Sequence, residues 1–368
     1  MDLKRSRDWR GLLLCLFLLA IGTPARAADP QPYQVTIAST GVSDLDATLN
    51  ASAQLVTLHG KVPVPPFALV ERARSDIQRL QTVLDSFGYY DAKIAVTIGG
   101  RDVNDPELAT YLDSVPDGTS VAVKVAIDKG PLFRLGDITI EGAVPDADKG
   151  ALGLKSGDPA VAGNVLDGQS RLLNALLEDG HALAKVDAPV AYLDETGHTL
   201  NLTFQVNTGP QVAIGDITFK GLKDVNEDFA RRALTIHSGD PYKPSKIEDA
   251  RQALTKLGVF SGVSVRAADH LSPDGRIGLV FDVQERKQHA VALTATYSTD
   301  LGISLSATWS HRPLFGNAEQ LNITVAGTGL GNATQGLGYT LSVQFIKPLF
   351  QRPDQALEFA VSGIKQQL

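Results

Sequence analysis

A thirteen-residue stretch that begins at Gly130 recurs at Gly209 with seven positions unchanged, and this self-similarity constrains the fold more than any other feature. The first copy reads Gly-Pro-Leu-Phe-Arg-Leu-Gly-Asp-Ile-Thr-Ile-Glu-Gly and the second Gly-Pro-Gln-Val-Ala-Ile-Gly-Asp-Ile-Thr-Phe-Lys-Gly. Agreement continues downstream: Ser156-Gly157-Asp158-Pro159 matches Ser238-Gly239-Asp240-Pro241, and the alternating run starting at Leu202 matches the one starting at Leu279. Matches that keep a nearly constant offset over roughly 80 residues indicate a duplicated structural unit.

Periodicity gives the order of elements inside the unit. Phe133 and Leu135, then Ile138 and Ile140, alternate as in a strand. The Ser-Gly-Asp-Pro run is expected to cap a following helix. Ile247, Ala250, Leu254 and Leu257 lie on one helical face, and Gly258 is expected to stop that helix. Val263 and Val265 start a second strand; after the turn Pro273-Asp274-Gly275, Ile277, Leu279, Phe281 and Val283 form a third. The unit is therefore strand, helix, helix, strand, strand. The region before Gly130 follows the same scheme. Val35 and Ile37 alternate, Val70, Ala73, Ile77, Leu80, Leu84 and Phe87 keep helical spacing up to Gly88, and Val121, Val123, Val125 and Ile127 alternate again. Three α+β modules are predicted, at 33–129, 130–208 and 209–286, the first carrying an insertion at 99–119.

From Lys287 the helical spacing gives way to strict alternation. Val291, Leu293, Ala295 and Tyr297; Ile303, Leu305, Ala307 and Trp309; Leu321, Ile323 and Val325; Tyr339, Leu341, Val343 and Phe345; and Leu357, Phe359 and Val361 mark five runs. The intervening positions are mostly Ser, Thr, Asn, Gln and Ala. Between Leu301 and Ile346 the formally charged side chains are Arg312 and Glu319 alone. A soluble sandwich would carry Lys, Glu and Arg on its outer face, whereas this pattern is that of transmembrane barrel strands. Residues 287–368 are read as the N-terminal strands of an antiparallel transmembrane β-barrel. Four or five strands cannot close a membrane barrel, which takes at least about 8. The sequence is therefore expected to continue beyond Leu368, the alternative being several subunits completing one barrel.

At the other end, Lys4, Arg5, Arg7 and Arg10 precede an apolar run from Leu12 to Ile21 and the small-residue site Ala25-Arg26-Ala27. This reads as a signal peptide covering 1–27, since about 20 apolar residues are needed to span a bilayer. Its removal would take the formal charge from −7 to −10 and discard Cys15, the single cysteine of the 368-residue chain. A disulfide framework and a cysteine-based zinc module are excluded, and the acidic balance argues against nucleic acid as a partner.

Catalytic patterns are missing too. The seven histidines are scattered without a His-Glu-x-x-His spacing, and no Gly-x-Ser-x-Gly elbow occurs. Gly327-Thr328-Gly329-Leu330-Gly331-Asn332 lacks the Gly-Lys-Ser/Thr ending of a phosphate loop. No enzymatic activity, cofactor or metal is expected; binding is.

The three repeats, Phe87-Gly88-Tyr89-Tyr90 in the first, and Tyr297-Ser298-Thr299-Asp300-Leu301-Gly302 with Ala307-Thr308-Trp309 in the tail resemble the TamA-like family of the BamA-like outer-membrane assembly superfamily. The repeats are similar to POTRA domains, and their number is the one found in TamA-like proteins. The resemblance implies a periplasmic arm on an outer-membrane barrel surrounded by lipid. It also implies a TamB-like inner-membrane partner docking on the first module, and unfolded outer-membrane or autotransporter clients. Two other readings stay open, a two-partner secretion transporter and a passive channel or anchor. Sheet edges are the expected contact points, because free N–H and C=O groups accept an extended segment of any sequence. The candidate edges are 92–98, 185–192 and 261–266. Partner binding is assigned to Ala92, Lys93, Ile94, Ala95 and Val96, and a proline at Ala95 is expected to weaken capture without unfolding the module.

Overall fold

The computed structural model describes residues 30–62, 64–116, 118–299, 302–330, 337–352 and 354–365. The signal-peptide reading of 1–27 with Cys15, and also Asp300, Leu301, Gly331 and Asn332, lie outside the described residues.

The first repeat contains β1 (Tyr33–Ile37), α1 (Ser43–Ser52), α2 (Gln54–Thr57), α3 (Pro66–Ser86), β2 (Lys93–Ile98), β3 (Arg101–Asp102), α4 (Leu108–Asp113) and β4 (Val121–Asp128). The second has β5 (Arg134–Glu141), α5 (Asp146–Lys149), a 3-10 turn (Gly150–Leu152), α6 (Ala162–Glu178), β6 (Lys185–Val186), β7 (Val190–Asp194) and β8 (Thr199–Asn207). The third has β9 (Ile214–Lys220), α7 (Glu227–Arg232), α8 (Pro244–Lys256), β10 (Phe260–Leu271) and β11 (Ile277–Glu285). Five long strands follow: β12 (His289–Ser298), β13 (Gly302–His311), β14 (Gln320–Leu330), β15 (Gly338–Pro348) and β16 (Ala356–Lys365). Two compact units result, one made of Met1–Ile138, Leu154–Leu166 and Ala191–Leu202, the other of the remaining residues.

Each repeat places its last strand in the middle of its sheet. The orders are β1-β4-β2-β3, β5-β8-β6 with β7 also on β8, and β10-β11-β9. In the first and third, the opening strand is parallel to the central one and the strand after the second helix is antiparallel to it. Helix α3 shows why the sequence folds this way. Leu69, Val70, Ala73, Leu80 and Leu84 recur at helical spacing and are buried against Val96, Ile98, Val123 and Val125 of the sheet. In the third repeat Ile247, Ala250 and Leu254 join Phe260, Leu279 and Phe281 in the same way. The insertion at 99–119 is part of the first core, because Val103, Leu108 and Leu112 are buried in it.

One expectation is corrected. The Ser-Gly-Asp-Pro runs do not cap the helices, which start only at Ala162 and Pro244. Instead each run is a turn hydrogen-bonded to its repeat's opening strand. Leu135 N–H donates to Asp158 C=O and Gly157 N–H to Leu135 C=O, both at 2.7 Å. Ile214 N–H and Gly239 N–H repeat the pattern with Asp240 C=O and Ile214 C=O, both at 2.8 Å. The aspartate faces backward, accepting from the N–H of Lys155 or His237, so its side chain is already used before the helix begins.

The tail is a five-stranded antiparallel sheet in the order β12-β13-β14-β15-β16. Its register aligns like with like. Trp309, Ile323, Val343 and Val361 form one row across four strands, while Thr308, Thr324, Ser342 and Ser362 form the next. One face is thus apolar and outward, with Leu293 at 80% and Val361 at 74% exposure, and the other carries hydroxyls and amides. Among the described residues no helix is long and apolar enough to cross a membrane.

Candidate functional site

The predicted edge of the first module is shorter than its sequence suggests. Strand β2 is not outermost, because the two-residue β3 pairs Thr97 with Asp102 and Ile98 with Arg101. Val96 is buried at 1% exposure, and its C=O accepts the N–H of Val103 at 3.0 Å. Antiparallel strands point the N–H and C=O of alternate residues to the same side. Ile94 therefore presents its backbone groups on the side that Val96 uses, and there no described strand pairs with it. Lys93 and Ala95 have exposed side chains, while Ala92 and Ile94 are half-buried and pack on the core. The five residues assigned from sequence thus lie on one extended segment, and Ile94 with its immediate neighbours supplies the open backbone.

The same alternation corrects the proline expectation. Gly99 N–H donates to Ala122 C=O, which sets the register of β2 on β4. Ala95, four residues earlier, has its N–H turned toward β4 as well. A proline there would remove a ladder bond inside the sheet, whereas Ile94 is the position whose N–H faces outward.

The other two edges differ in length. The 185–192 segment is divided between β6 and β7, both alongside β8. Strand β10 pairs with β11 on one side only among the described residues and runs for 12 residues, so 261–266 lies on the longest edge of the three modules. Its outward side chains include Ser261, Ser264 and Arg266, and Arg266 forms an ion pair with Asp282.

Sequence reasoning missed the junctions that join consecutive modules. The linker residue Phe133 donates its N–H to Gly88 C=O at 2.9 Å, and its own C=O accepts from Ala160 N–H. At the next junction Val212 does the same with Gly180 and Tyr242. The two copies differ in what surrounds this shared pair of bonds. Around Phe133 the contacts are aromatic, with Tyr90 and His198 packed edge-on at 5.4 and 5.2 Å. Val212 joins the apolar core of the third module, and the residues flanking it add polar bonds. Gln211 donates to the C=O and carboxylate of Asp179, and the ring of His181 meets Gly209 C=O at 2.9 Å. Glu178 reaches the start of α8, accepting from the N–H and Oγ of Ser245 at 2.7 and 2.8 Å. Burial raises the Tyr242 hydroxyl pKa, and the nearby Glu178 charge adds to the rise.

The third module is also tied to the membrane-type sheet. The β13–β14 turn enters its core through Ala318, which has no exposed surface. Glu319 is 2% exposed and holds the turn by accepting from Phe315 N–H and Asn317 N–H. Asn226 N–H donates to Gly316 C=O at 2.8 Å, and the Gln320 amide donates to Leu257 C=O at 3.2 Å. Arg312 and Glu319, the two charges between Leu301 and Ile346, thus bracket this docked turn.

The molecule resembles known proteins in ways that match this architecture. Residues 212–286 match the POTRA family model, described as a surface antigen variable number repeat. The outer membrane protein assembly factor BamA of Neisseria meningitidis serogroup B is 24% identical over 306 residues, covering 80% of this chain and 35% of that protein. BamA of Neorickettsia risticii is 25% identical over 220 residues, covering 59% of this chain and 29% of the relative. The chain therefore spans about a third of the length of the curated relatives it matches. Among solved structures, BamA from Haemophilus ducreyi lacking POTRA domains 1–3 shares the fold, with a TM-score of 0.51 at 17% identity. That likeness covers 64% of this chain and 43% of that one. The POTRA match and the BamA relatives support the BamA/Omp85 superfamily for this chain.

Proposed function

We propose that this chain works in outer-membrane protein assembly, as a periplasmic arm of three POTRA-type modules on a membrane barrel of which β12–β16 form part. The observation that carries the reading is the open backbone at Ile94, together with the long one-sided edge of β10. Both lie on modules of a kind found in assembly factors, and an unpaired edge accepts an extended segment through backbone bonds that tolerate many sequences. The finer reading is TamA-like. A TamB-like inner-membrane protein docks on Ala92, Lys93, Ile94, Ala95 and Val96, and unfolded outer-membrane or autotransporter clients pair with the later edges. The apolar face of β12–β16 meets outer-membrane lipid. Strand pairing and burial drive the work, so no catalysis or nucleotide enters it.

Photocrosslinking residues placed at Lys93, Ala95 and Ser264 test this in cells. Adducts to the inner-membrane partner are expected at the first two and to client chains at the third. Ile94→Pro should abolish the partner adduct while leaving the sheet intact, because the lost N–H faces outward. Unchanged partner capture by that variant would remove the assignment of the first edge, and a complete lack of client adducts would favour a passive channel.

A further inference from the structure

Histidines that are scattered in sequence come together in the first hairpin of the membrane-type sheet. His289 on β12 lies directly opposite His311 on β13. The next pair toward the third module is closed by Arg312 N–H donating to Gln288 C=O at 2.8 Å. Bonded and non-bonded pairs alternate along an antiparallel ladder, so His289 and His311 form a non-bonded pair, the type that brings side chains closest. Their ring centroids are 4.4 Å apart with the planes tilted by 36°. Trp309 stacks on His289 at 5.5 Å and 20°, and lies 5.9 Å from the ring of His311. All three occupy the apolar face, at the end of the sheet next to the third module.

We propose that His289 and His311 form a two-imidazole site for a late first-row divalent cation, with copper(II) bound most tightly and nickel and zinc more weakly. Two rings that hold one ion through nitrogen at about 2 Å place their centroids roughly 4.5–5 Å apart, close to the spacing seen here. Imidazole suits these three ions, and their affinities follow the Irving–Williams order. Among the described residues no group of three or more His, Cys, Asp or Glu side chains surrounds a common point, so water completes the coordination. The Trp309 ring, stacked on His289, lies close enough to sense an ion held there. The ion would staple β12, paired only with β13 among the described strands, at the end where the sheet meets the arm.

The chain contains two tryptophans, Trp9 and Trp309. With Trp9→Phe, the full chain held in zwitterionic detergent micelles, which do not require a closed barrel, reports on the site through Trp309 alone. Copper(II) chloride titrated near neutral pH should quench this fluorescence in a saturable phase of one ion per chain. His289→Ala and His311→Ala should each weaken half-saturation by roughly tenfold or more, while His270→Ala, on β10, should leave it unchanged. Electron paramagnetic resonance of the copper-loaded parent chain gives a second reading that needs no variant to fold, and should show two coordinated imidazole nitrogens. Quenching that persists in the double variant, or a spectrum without paired nitrogen coupling, would mean that these rings are only part of an interfacial aromatic belt, and the proposal fails.

Discussion

The Glu178 carboxylate, at the end of α6, holds the first turn of α8 in the next module through the backbone N–H and hydroxyl of Ser245. A helix N-terminus has unpartnered N–H groups and a positive dipole end, so a carboxylate supplied from another module is both cap and counter-charge. Hydrogen bonds to a charged group contribute about 1.5–3 kcal/mol. Glu178→Ala should therefore speed exchange of the Ser245 amide by at least about tenfold, with Glu178→Gln intermediate. Hydrogen exchange of the full chain checks this, and the amides of α3 in the first module serve as the unaffected control.

Glu319 makes a comparable prediction at the sheet end. Removing its buried carboxylate leaves the Phe315 and Asn317 N–H groups without their charged acceptor; because both residues are reached by water, the loss is that of the hydrogen bonds themselves, about 1.5–3 kcal/mol at most for each. Glu319→Ala should release the β13–β14 turn from the third module. Limited proteolysis at 314–318 should rise sharply while cleavage in the first module stays constant.

These two contacts mark the limit of what sequence reading could reach. The strands and helices were legible, because burial on one face leaves a period of 2 or 3.6 in the chain. The repeat was legible because two copies face the same geometric demands. The docked turn left only a trace, two charges in a stretch from Leu301 to Ile346 that holds no others. The Glu178 cap left none, since a half-buried glutamate late in a helix looks like a solvated one. The length of the β2 edge was also hidden, because a two-residue strand such as β3 is too short to show periodicity. His289 and His311 are 22 positions apart in the chain. Only the hairpin register brings them together.

The repeated glycines give a test of structural equivalence. Gly142 and Gly221 end the opening strands of the second and third modules, with φ of +129° and +90°. A Cβ on either would lie 2.1 Å from a backbone oxygen of the central strand, that of Val206 or Val283. Positive φ alone penalises alanine by more than about 1 kcal/mol, and backbone oxygen cannot rotate away as a side chain could. Gly142→Ala and Gly221→Ala should each lower the yield of folded chain and raise protease sensitivity in their own module. Gly150→Ala, where nothing lies within 4 Å and φ is −62°, should be neutral.

Acid should act on the third module through Glu248. Arg251 donates to both of its carboxylate oxygens, at 2.7 and 2.6 Å, and Gln252 adds a third bond at 3.0 Å. These contacts, the Arg251 hydrogen bonds foremost, bring the Glu248 pKa from 4.5 to about 2. A carboxyl whose pKa is lowered by folding stabilises the folded form above its unfolded value and loses that contribution as pH falls through the folded one. The pair is therefore fully effective above about 4.5 and fades toward about 2. Arg251 also reaches Val263 C=O on β10 at 3.4 Å, so protonation loosens a tie between α8 and the edge strand. Carbon-detected NMR titration of Glu248 should show a midpoint near 2, returning toward 4.5 in Arg251→Ala. Amide protection in β10 should decline over the same interval in the parent chain and be flat with pH in the variant. A parent midpoint already at 4.5 would show that the ion pair does not form in solution.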